Sequence, residues 1–151
     1  MEVSELLSGH RRAVVDEAFA SLDRSHEVHY QRSGQEFTEA ALSELFDLVV
    51  TALQTRELGP VSTYCETIAE ERFRAGFGIS EVQTAFNALE VAMWNQIVAG
   101  VPPAELAEAV GLLSTILGHG KDALARRYVS LASARHVPTL DLSALFSGIE
   151  A

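Results

Sequence analysis

Apolar residues return along this chain every three or four positions, and no stretch of useful length alternates apolar with polar. That 3.6-residue period predicts helices and no sheet. The first helix is expected from about Val3 to Asp23, with Val3, Leu7, Val14, Ala18 and Leu22 along one side. A polar connection from Ser25 to Glu36 then leads to a second helix, capped by Thr38, that carries Leu42, Leu45, Phe46, Val49 and Leu53 and is ended by Gly59-Pro60. The third aligns Val61, Tyr64, Cys65, Ile68 and Arg72, so an arginine falls on the stripe meant for the core. Such a charge needs a partner, and Arg72 is expected either to satisfy helix-end carbonyls or a carboxylate, or to contact an anion.

Helix four is expected from about Ser80 to Val98, with Val82, Ala85, Phe86, Leu89, Met93 and Ile97 as its core face. Val91, Trp94 and Val98 form a second apolar stripe on the opposite side. Burying a large apolar side chain is worth roughly 1.5–3 kcal/mol, so a stripe left in water forfeits several kcal/mol. A second contact surface follows, either against another helix of the chain or against a second copy. The fifth helix, opened by a proline at 102 or 103, runs to about Leu131 on a stripe of Leu106, Val110, Leu113, Leu117, Leu124, Tyr128 and Leu131. Beside it lies a row of small residues, Ala107, Gly111, Ser114, Gly118 and Ala125. Glycine inside a helix costs about 0.5–1 kcal/mol relative to alanine, which tight packing or a bend near Gly118-His119-Gly120 would offset. The expected fold class is therefore all-α, a single bundle of about five main helices with a globin-like arrangement as one option. Residues 1–135 form the expected domain, and 136–151, with Leu140, Leu142, Leu145 and Phe146, a tail or short docking helix.

Composition narrows the function by exclusion. A net charge of −10 over 151 residues repels a phosphate backbone, so nucleic acid is not an expected partner. No apolar run approaches the roughly 20 residues that cross a bilayer, and the start is not a basic signal sequence. No membrane partner is expected, and the cytoplasm is the expected location. The single cysteine, Cys65, fits a reducing compartment and is expected to sit in the core as a small hydrophobe. Asp23, His26 and His29 have a spacing that one helix face could present to a metal, but they lie near a helix end without evident support. His119, between two glycines in a charge-free stretch, is the one position suited to a haem, which would also need a large apolar pocket. A packed or partly exposed histidine, and no cofactor, is the expectation. No nucleophile elbow, phosphate loop or catalytic pairing is present, so no enzyme is expected.

The segment Glu70-Glu71-Arg72-Phe73-Arg74-Ala75-Gly76-Phe77-Gly78-Ile79-Ser80-Glu81-Val82-Gln83, continuing to Trp94, is the most specific feature. Arg72 and Arg74 suit the negative end of a helix, Gly76 supplies a left-handed exit, and Ser80 with Gln83 has capping-box spacing. This order of helix, R-x-R-x-G-x-G hinge, capped helix and tryptophan resembles the N-terminal domain of RsbR/RsbRD-type regulators, the RsbT co-antagonists of bacterial stress signalling, over about His29 to Leu131. The resemblance implies a helical sensory or scaffolding module that dimerises, placed before an output domain such as a STAS domain or kinase, with no catalytic residues to carry over. The chain leaves no room for such an output domain, so a separate signalling protein is the expected partner, unless the chain is a fragment. The expected interface is Val91, Trp94, Val98, Gly111 and Gly118.

Overall fold

The computed structural model describes residues 2–139. Among them are seven helices and no strand: α1 (Val3–Gly9), α2 (Arg11–Arg24), α3 (Val28–Ser33), α4 (Gln35–Thr55), α5 (Gly59–Arg74), α6 (Ile79–Gly100) and α7 (Pro103–Thr139). The five expected helices correspond to α1 with α2, then α4, α5, α6 and α7. The count rises because of two local breaks. Gly9 ends α1, with His10 Nδ1 lying 2.9 Å from Leu6 O at its last turn, and the chain restarts at Arg11. The polar connection in turn contains the short helix α3, closed by Gly34 at φ +93°, a left-handed value that glycine adopts without strain.

Two expected caps are displaced. Thr38 lies inside α4, buried, and its hydroxyl donates to Gly34 O at 3.0 Å; α4 begins at Gln35 because the turn at Gly34 has already reversed the chain. Gly59-Pro60 does not end α4, which stops at Thr55 with Arg56 left-handed at φ +64°. The pair opens α5 instead, where proline's missing N–H is one of the donors that a helix start leaves free anyway.

Around the bundle, α2 lies between α4 and α6, α7 between α6 and α5, and α4 closes the ring against α5, while α1 rests on α4 and α6. The core faces follow the apolar stripes: Leu7, Val14, Leu22, Phe46, Val49, Leu89, Met93, Ile97, Leu113, Leu117 and Leu124 are all nearly inaccessible. The close approach along α7 is at Gly120, where a Cβ would stand 3.0 Å from Cys65 Sγ and 3.1 Å from Val61 Cγ1 of α5. Nothing lies within 4 Å of a Cβ placed on Gly111 or Gly118. Of the three glycines, Gly120 alone is used to bring two helices of this chain together. Residues 140–151 of the expected tail lie outside the described residues.

Candidate functional site: a hinge around Arg72 and an apolar face on α6 and α7

The hinge between α5 and α6 is a complete helix-ending motif. Gly76, at φ +88°, donates its N–H to Phe73 O at 3.1 Å, and Phe77 N–H reaches Arg72 O at 2.9 Å. That pair of bonds defines a Schellman exit, in which the residue past the glycine commonly packs on the residue three before the cap. Here those two are Phe77 and Arg72, and the contact is a cation over an aromatic face: the guanidinium carbon stands 5.5 Å from the Phe77 centroid and 4.7 Å from that of Phe37. Phe77 also meets Tyr30 edge-on at 4.9 Å and His29 at 5.1 Å, and Tyr128 of α7 donates its hydroxyl to Phe77 O at 3.1 Å. Four elements are thereby tied to one turn.

The start of α6 is capped two residues earlier than Ser80 and Gln83 suggest. Gly78 is the N-cap, and the Glu81 carboxylate returns to accept from Gly78 N–H at 3.0 Å. Glycine has no side-chain oxygen, so only this half of a capping box is made. Glu81 also accepts from His29 N–H at 2.9 Å and lies 2.6 Å from His29 Nδ1. Burial pushes its carboxyl pKa up, but the bonds from Gly78 and His29 outweigh this and the net shift is downward. Because of this, α3 is pinned to the hinge. Glu81 escapes a sequence reading because its partner lies 52 residues away; the acidic residue in the first helical turn is the one available signal.

Arg72 is buried, as its place on the stripe implies, but its surroundings are not those of a paired ion. Among the described residues the one carboxylate within 4 Å, Glu71, is 3.7 Å from Nη1 and largely in solvent, and Nε is buried with no hydrogen-bond partner. Burial pushes the pKa of Tyr30 up, with Arg72 partly opposing, and does the same to Tyr64. Cys65 is fully buried and its thiol pKa is pushed up to about 12, first by burial and then by Glu66, which makes it a packing group against Gly120.

The histidines separate. His26 is left-handed at φ +53°, in the turn that breaks the helix after Arg24, and its Nδ1 faces Gln31 at 3.1 Å, while His29 is committed to Glu81. Asp23, His26 and His29 therefore do not share a helix face. His119 is half-buried on α7; the two largest cavities described, of about 370 Å³ each, lie between α2, α3 and α4 and between α5 and α7, and His119 lines neither.

On the outer side of α6, Val91, Trp94 and Val98 are 57%, 43% and 45% exposed, and no helix of the described chain covers them. Lys121 Nζ of α7 reaches Asn87 Oδ1 at 3.0 Å and Glu90 Oε1 at 3.1 Å, which sets the antiparallel register of the two helices. On α7, Gly111 and Gly118 are both exposed. The interface residues expected from the sequence are thus all exposed, three on α6 and two on α7.

The chain belongs to the family described as the RsbT co-antagonist protein rsbRD N-terminal domain, which matches residues 8–137. The match begins earlier and ends later than the resemblance, taking in α2 and nearly all of α7. No curated protein and no solved structure matches the chain.

Proposed function

We propose that this domain is a non-catalytic regulatory module of bacterial stress signalling that pairs with a second copy through the outer face of α6 and α7 and acts on a separate signalling protein in the cytoplasm. The family description, a co-antagonist of RsbT, supports a regulatory role carried out through protein contacts. The observation that carries the pairing is Trp94, 43% exposed between Val91 and Val98 on α6, together with the exposed Gly111 and Gly118 on α7, which have open space above them. Covering those three half-exposed side chains is worth about 2–4 kcal/mol per copy by area, before the cost of association. Glycines at 111 and 118 would let a partner helix come close to the α7 backbone, which is the use for glycine that packing within the chain does not supply.

The test is the mass in solution by light scattering. A dimeric wild type that becomes monomeric on Trp94→Asp, with helical content unchanged, is the expected result. A wild type already monomeric at high micromolar concentration overturns the pairing.

A further inference from the structure

A small, partly open cavity of about 20 Å³ lies against Arg72, lined by Tyr30, Tyr64, Leu42, Ile68 and Phe86 among others. Arg72 is the one charged residue on its wall. The Arg72 side chain is 7% exposed, its guanidinium carbon lies over the Phe37 and Phe77 rings, and among the described residues its buried Nε–H has no acceptor. A buried donor left without an acceptor is a cost that folded proteins normally remove. We propose that this cavity is a binding site for one small monovalent anion of halide size, chloride being the chemical class, held by the Arg72 Nε–H.

Three further observations support an anion. Among the described residues the one carboxylate within 4 Å, Glu71, meets Nη1 at 3.7 Å and is largely in solvent, so it leaves the buried Nε–H unpaired. Burial keeps Tyr30 and Tyr64 in their neutral phenol form, so no second negative charge arises on the wall. Size decides between anions: a space that takes one water-sized sphere needs about 10–15 Å³, so this cavity admits a single small species and excludes sulfate and phosphate. The site sits where α5 ends and beside the first turns of α6, so its occupancy would bear on the same hinge that Phe77 and Glu81 hold. It is independent of whether the domain pairs.

Two measurements test the proposal. Crystals of the wild-type chain grown in sodium bromide should show one anomalous peak beside Arg72 Nε. At matched ionic strength, chloride or bromide should raise the melting temperature by about 2–4 °C once about fivefold above half-saturation, whereas gluconate and sulfate should not, and Arg72→Met should abolish the difference. If Arg72→Met does not fold, the wild-type bromide density decides alone. A water or an empty cavity in bromide, a stability indifferent to the choice of anion, or a response that fails to saturate below molar salt would each overturn it.

Discussion

The Glu81 carboxylate accepts hydrogen bonds from two backbone N–H groups and faces one imidazole, and its pKa is lowered by them in the folded chain. A group whose folded pKa is depressed contributes stability above its unfolded value, and that contribution is lost as pH falls through the folded value. The expected outcome is therefore a melting temperature that falls as pH drops below about 4.5, the ordinary carboxylate value. Glu81→Gln should melt below the wild type at neutral pH, and the gap should close on acidification, as followed by circular dichroism. Arg72 shows what a sequence reveals about a single side chain. Its position on the buried stripe was legible from periodicity, but its aromatic surroundings depend on how α3 and α4 bring Tyr30 and Phe37 to it, and nothing local encodes that.

Among the helices, the three glycines of α7 make separable predictions. Alanine at 111 or 118 would meet nothing within 4 Å in the single chain, so each of Gly111→Ala and Gly118→Ala should stabilise the monomer by about 0.5–1 kcal/mol in urea unfolding. If the α6–α7 face pairs, the same two changes should weaken association. Gly120→Ala should gain less or lose stability, because Cys65 Sγ and Val61 Cγ1 must yield by a few tenths of an ångström. Helix centres were legible because each carries a stripe of large apolar residues, as Val82, Phe86, Leu89 and Met93 do on α6. Helix ends were not, and for particular reasons. Thr38 has the chemistry of a cap and uses it inside a helix, Gly59-Pro60 suits a start as well as a stop, and Ser80 is passed over for a glycine that Glu81 rescues. Turn chemistry is degenerate over two or three residues, whereas a core stripe is not.

At the scale of the molecule, a formal charge of −10 sets two copies against each other at long range, while the face proposed to join them is apolar. Salt screens the first effect and leaves the second intact. Raising sodium gluconate from 20 to about 300 mM should therefore tighten self-association in sedimentation equilibrium, the reverse of what a charge-paired interface would give. The exposed α6 stripe was legible as excess apolar surface, since the bundle's own core uses only one side of that helix. The anion-sized space was not, because it exists only where four helices, α3 to α6, fail to close completely around one side chain.

The length of α7 carries a mechanical consequence. It is 37 residues, against 22 for α6 and 16 for α5, and it continues without interruption to Thr139, eight residues and about 12 Å beyond Leu131. A continuous α-helix has no joint along its length at which a twist could dissipate. Any tilt imposed where α7 is clasped by α5 and α6 is delivered at its far end as a displacement that grows with distance, so a sub-ångström adjustment beside Phe77 and Tyr128 would arrive there magnified, as at the tip of a lever.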